Sequence, residues 1–206
     1  MKSARLLFVT GTDTGVGKTV FTARATRALR EQGKRVAALK PICSGGRGDA
    51  RQLQRAADKV LTLDEVNPWH FRAALSPWLA ARQEKIRLRL PTVVAHIRRI
   101  ARDFEVVIVE GAGGLLSPLG EDFDSRDLIR ALGAEAIIIC PNKLGAVNQV
   151  RLVWEALPRA TARQARVVLV NPAKPDAASR TNWQLLKAFV APERVDLLPW
   201  LEDLAG

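Results

Sequence analysis

The chain has 206 residues, 48% hydrophobic and 26% charged, a balance that fits one α/β domain over residues 1–206 and points neither to disorder nor to a membrane protein. Its longest apolar runs, such as residues 136–140, are far too short to span a bilayer, and Met1 and Lys2 lead straight into LLFVTG without a cleavable signal pattern, so a cytoplasmic protein with no membrane contact is expected. The net charge of +11 raises polyanions as partners, but the cations are scattered, with short clusters only at RLRL (87–90) and HIRR (96–99), so nucleic acid is not expected and the excess reads as solvated helix surface.

The first apolar run, residues 5–9, is continuous rather than alternating and predicts a buried parallel strand. GTDTGVGKT (11–19) follows it and opens an amphipathic stretch over 18–32 that Gly33 ends. A glycine turn between strand and helix binds phosphate: backbone N–H groups converge, the helix dipole adds to them, and glycine allows close approach. Gly15, Val16 and Gly17 form that turn, Lys18 can reach the terminal phosphates, the Thr19 hydroxyl can ligate Mg²⁺, and Val20 is expected with them at the nucleotide. Thr12 stands where the common spacing has glycine, so the loop is a variant. Asp13 occupies the place of the second lysine of partition-type ATPases, and NKLG (142–145) lacks the aspartate by which GTPases read guanine, which sets both classes aside.

A second strand is predicted at 35–39, directly before KPICSG. Lys40 at its carboxyl end is either a solvated end charge or a cation for an anionic reaction centre. Asp49, at the start of a helical stretch over 49–59, is either an N-cap or a metal ligand. Residues 60–91 carry Trp and Pro, show no clear period, and read as an insertion covering one sheet edge. A helix is expected over 92–103 and a strand over 105–110, which ends at Glu110, where nucleotide-binding sheets put the acid on the metal side. Gly111, Ala112 and Gly113 then let the backbone approach phosphate. Helices over 125–132, 145–157 and 179–189 and strands over 134–140 and 166–170 complete an α/β fold with a mostly parallel sheet and helices on both faces. In such sheets ligands bind beyond the carboxyl ends of the strands. Cys43, Cys140, His70 and His96 lack metal-ligand or disulfide spacing and are read as structural.

GTDTGVGKT, KPICSG, the lone Asp49 and VEGAGGLLSPL, in this order and spacing, resemble the dethiobiotin synthetases, and the resemblance runs from residue 5 to about 201. It implies a P-loop NTPase-type fold and an ATP-dependent ligase of biotin biosynthesis that closes a ureido ring from 7,8-diaminononanoate and CO₂ or bicarbonate through a phosphorylated carbamate. It further implies Mg²⁺ on Thr19, Asp49 and Glu110, catalytic cations at Lys18 and Lys40, and substrate contacts from Thr14 and Ser44. Asn171, Pro172, Pro199, Trp200 and Leu201 would form the adenine pocket. In this family the substrate's far carboxylate is held by the partner subunit of a homodimer, which assigns that part to Leu144, Gly145 and Asn148. Three departures stand out: a short 45–49 connection, Pro172 where an acid is usual, and no C-terminal tail beyond Gly206. The nearest alternatives are a switch-type P-loop ATPase acting on a protein or nucleic acid, and another amide-forming ligase of the same fold.

Overall fold

The structure is a computed structural model in which residues 3–200 are described. In chain order it runs β1 (Arg5–Gly11), α1 (Lys18–Glu31), β2 (Val36–Leu39), β3 (Ile42–Ser44), α2 (Gly48–Ala56), α3 (Leu63–Val66), β4 (Trp69–Phe71), α4 (Pro77–Gln83) and α5 (Leu90–Ala101). The second half runs β5 (Val106–Glu110), α6 (Ser125–Leu132), β6 (Glu135–Pro141), α7 (Ala146–Ala156), α8 (Arg159–Ala162), β7 (Arg166–Val170), α9 (Ala177–Leu186) and β8 (Val195–Leu198). The main sheet has the order β2-β5-β1-β6-β7-β8, and every pairing in it is parallel.

Strand alternation divides the interior into two layers. Phe8, Leu39, Val107, Val109, Ile138 and Leu169 face one side and pack with Val93, Ile97 and Ile100 of α5 and Leu128 and Ile129 of α6. Their sequence neighbours Leu7, Val9, Ile108, Ile139 and Val168 face the other side and meet Val20 and Phe21 of α1. Because both faces are covered, the central residues of these strands are apolar in succession, which is why the sequence runs are continuous. Helix ends follow local chemistry. Gly33 closes the turn after α1 at φ 78, and Asp124 and Asp127 form a reciprocal capping box at the start of α6.

Two parts depart from the expectation. β8 was not anticipated, because only Val195 among its residues is fully buried and an edge strand carries no continuous apolar run. Residues 60–91 are more than an edge cover. They contribute Phe71, Ala80, Ala81 and Leu88 to the larger core layer, and β4 pairs in parallel with β3 in a small second sheet.

Ile138 is fully buried in β6, so Ile138→Ala is expected to cost about 2–5 kcal/mol and Ile138→Val about 0.5–1.5 kcal/mol. Urea denaturation with an unchanged m-value checks both.

Candidate active site

The register Val9↔Glu110 sets the end of β5 beside the end of β1, so the glycine loop and Glu110 emerge together at the carboxyl edge of the sheet. Gly15 and Gly17 adopt φ 72 and 95, which side chains strain to reach. Gly17 is the N-cap of α1, and no side chain caps that helix. Its first-turn N–H groups therefore suit an anion. Lys18 is buried, and its Nζ donates to the Asp13 carbonyl at 2.7 Å. Burial, then the charge of Lys40, lowers the Lys18 ammonium to about 8.

Around Glu110 the structure gathers three of the expected side chains, Thr19, Lys40 and Asp49. Thr19 Oγ1 donates to Glu110 Oε1 at 2.8 Å, and Lys40 Nζ donates to the same oxygen at 2.5 Å and to the Gly111 carbonyl at 3.1 Å. Asp49 Oδ2 lies 3.1 Å from Lys40 Nζ. Lys40 is therefore a buried cation with three acceptors rather than a solvated end charge. Burial pulls its ammonium down, but Glu110 and Asp49 outweigh it and hold the value above that of an ordinary lysine. Asp49 is not an N-cap: Arg47 holds that place, and Asp49 sits in the first turn of α2. The short 45–49 connection still brings it to the cluster.

These groups open into a cavity of about 790 Å³. Its wall includes Thr14, Gly15, Gly17, Lys18, Thr19 and Val20 from the loop, Lys40 and Ser44 after β2, Asp49, and Glu110, Ala112 and Gly113 after β5. Ser44 Oγ donates to the Leu75 carbonyl at 2.5 Å. Val16 packs in the core beneath the loop, and Gly111 is buried, with its carbonyl on Lys40. Other expected residues lie elsewhere. Asn171, Pro172, Pro199 and Trp200 follow β7 and β8 and do not line the cavity, and Trp200 is exposed. The Asn171 side-chain carbonyl accepts from Asn142 Nδ2 at 2.7 Å. Leu201 lies outside the described residues. Leu144, Gly145 and Asn148 are exposed at the start of α7, away from the cavity.

Sequence reasoning missed Cys43, Gln52, Ala74, Leu75, Ser76, Pro77, Ser117 and Pro118, which also line the cavity. It missed Asn67 as well, whose Nδ2 donates to the Lys40 carbonyl at 2.6 Å while its Oδ1 accepts from Arg47 at 3.1 Å. This fully buried amide ties the end of β2 to the loop leading to Asp49. Most of these residues come from the stretch without a readable period, and Asn67 carries no motif. The Cys43 thiol is bonded to the Gly46 carbonyl and Asn67, burial raises the Cys140 thiol to about 11, and His96 bonds the Glu65 carbonyl at 2.8 Å.

The donor set fits Mg²⁺. Glu110 Oε2 is buried with no hydrogen-bond partner among the described residues, and it stands with Asp49 and the Thr19 hydroxyl beside the phosphate loop. Mg²⁺ is typically held by one or two carboxylates, with phosphate oxygens and water completing its shell.

A family model described as an AAA domain matches residues 5–206. The chain is similar to the ATP-dependent dethiobiotin synthetase BioD of Anaeromyxobacter dehalogenans, at 39% identity over 98% of this chain and 92% of the relative. The protein of the same name from Bacillus licheniformis is 35% identical over 95% of this chain and 86% of its own length. That of Akkermansia muciniphila is 35% identical over 90% and 87%. Among solved structures, the signal recognition particle receptor FtsY from Elizabethkingia anophelis in complex with GDP aligns with a TM-score of 0.52 at 17% identity, over 88% of this chain and 52% of that one. The cell division protein FtsY of Thermotoga maritima aligns with a TM-score of 0.54 at 15% identity, over 98% and 63%. These two likenesses concern the fold alone.

A phosphate chain drawn to Lys18 requires it charged, and a value of about 8 leaves it partly neutral in mildly alkaline solution. Calorimetry of MgATP binding in buffers of different ionisation enthalpy is expected to show uptake of a fraction of a proton at about pH 8.5 and close to none at about pH 6.5, with affinity falling as pH rises through 8. Equal uptake at both would contradict the lowered value.

Proposed function

The chain belongs to the family of ATP-dependent dethiobiotin synthetases, and on that premise we propose that it joins CO₂ to both amines of 7,8-diaminononanoate, closing the ureido ring of dethiobiotin with MgATP. The observation that carries the reading is Lys40, a buried ammonium in the same cavity as the phosphate loop. A nucleotide-binding loop alone has no use for a second buried cation beside Lys18. A reaction that brings a second anion to the terminal phosphate does.

In the proposed sequence one amine attacks CO₂, loses a proton and becomes a carbamate. A carbamate oxygen attacks the γ-phosphorus and ADP departs. The second amine then attacks the carbamoyl carbon, and phosphate leaves with an oxygen that came from CO₂. The obstacle is the approach of two anions, which at ~4 Å repel by about 4 kcal/mol per unit-charge pair at an effective dielectric of 20. Lys18 would meet the β- and γ-phosphates, and the uncapped start of α1 would hold them through N–H groups. Lys40 would hold the carbamate and stabilise charge as its oxygen attacks. Thr14 and Ser44 would hydrogen-bond the reacting end of the substrate. Thr19, Asp49 and Glu110 would hold Mg²⁺, which when bound neutralises phosphate charge. No covalent nucleophile is required.

The remaining assignments are of the same standing. Asn171 and Pro172 after β7, with Pro199 and Trp200 after β8, would border the adenine. Leu144, at 85% exposure, together with Gly145 and Asn148, would meet the substrate carboxylate of a second subunit in a homodimer. A cytoplasmic setting accords with the lack of any helix, among the described residues, long and apolar enough to cross a membrane.

Incubation with MgATP, bicarbonate and 7,8-diaminononanoate is expected to release phosphate only when the diamine is present, with the cyclic product seen by mass spectrometry. Release that ignores the diamine would sink the reading. Lys40→Ala is expected to retain MgATP binding and lose about 100- to 1,000-fold in turnover, which calorimetry and the phosphate assay measure separately.

A further inference from the structure

Gln52 lies one helical turn beyond Asp49 in α2. Helical side chains lean toward the N-terminus and residues three apart share a face, so Gln52 is directed back over Asp49 toward the site. It lines the same cavity as Lys18 and Lys40. Its Nε2 atom is buried and has no hydrogen-bond partner among the described residues.

Buried amides without partners are rare because the lost hydration goes uncompensated. Three charged or polar side chains of the wall are engaged: Lys18 with the Asp13 carbonyl, Lys40 with Glu110, Ser44 with the Leu75 carbonyl. Among the described residues that line the cavity, Gln52 is the one whose buried side-chain donor the fold leaves without a partner. Its neighbours Arg51 and Arg55 are exposed, so a polar side chain with no task in the cavity had solvent-facing positions available on the same helix.

We propose that Gln52 is a binding residue whose Nε2 donates a hydrogen bond to an anionic oxygen at the reacting centre, supplied either by the terminal phosphate of the nucleotide or by the carbamate. The assignment rests on the reading of this cavity as the site where those two anions meet. A neutral amide suits the position: it strengthens an anion's hold without adding a third ammonium to repel Lys18 and Lys40, and without adding a carboxylate to repel the anion. Gln52 then belongs to the site through its second helical turn, where no motif marks it.

The test uses the full chain and two variants, Gln52→Leu and Gln52→Glu. Thermal unfolding without ligand is expected to leave Gln52→Leu as stable as the parent or more so, since an unpaired donor is removed. A merely structural glutamine would instead lower the melting temperature on replacement. Calorimetry with a non-hydrolysable ATP analogue and Mg²⁺ then separates the two sources. Affinity about tenfold weaker in Gln52→Leu, and weaker still in Gln52→Glu, identifies the phosphate oxygen. Unchanged nucleotide affinity with kcat/KM for the diamine reduced about tenfold identifies the carbamate. The proposal is overturned if Gln52→Leu matches the parent in both, or if its losses come with a lowered melting temperature. Should the parent itself show no diamine-dependent turnover, the ligase reading fails, and the nucleotide titration alone decides whether Gln52 holds an anion.

Discussion

A lysine buried against two carboxylates at the carboxyl edge of a parallel sheet sets the terms for everything around it. Lys40 has three protons and three acceptors, from Glu110, Gly111 and Asp49. That full complement is what makes a buried ammonium tolerable, since an unpaired one would cost several kcal/mol in desolvation. The acceptors arrive by two routes. Glu110 ends β5 and Gly111 follows it, and β5 lies between β1 and β2 in the sheet, while Asp49 comes from the first turn of α2. The fold therefore brings separate segments to one point, and Asn67 ties two of them together through buried hydrogen bonds.

Lys18 and Lys40 balance Asp49 and Glu110 within the cavity, so the site has no net charge from these four side chains. A triphosphate and a second anion would tip it strongly negative. The lowered value of Lys18 follows first from its burial and then from the charge of Lys40 in the same site. A site in this state has a use for a divalent cation and for phosphate charge on Lys18, and the partnerless Glu110 Oε2 and the uncapped start of α1 are where each would be received.

Much of this was legible in the sequence because it rests on local chemistry. The continuous apolar runs before Gly11, Lys40 and Glu110 mark strands covered on both faces, and residues that follow such strands fall at the ligand edge. Asp49 was legible as an acid at a helix start, but not as a partner of Lys40, because that contact joins two segments through space. Residues 60–91 stayed opaque for a physical reason. Their strand is three residues long and their helices are short, too brief for a period to show, yet Phe71 and Ala80 complete the core. Asn67, Gln52 and the Asn142–Asn171 hydrogen bond are single amides whose meaning lies wholly in what surrounds them.

In the proposed reaction these cations let a carbamate oxygen attack the terminal phosphate. The direct test is to run the reaction with ¹⁸O-labelled bicarbonate and MgATP in the presence of 7,8-diaminononanoate, and to analyse the phosphate released. The phosphate is expected to carry one labelled oxygen taken from the carbon. Phosphate free of label, in a reaction that still forms the cyclic product, would contradict it, because ring closure would then have proceeded without a bond between the carbamate and phosphorus.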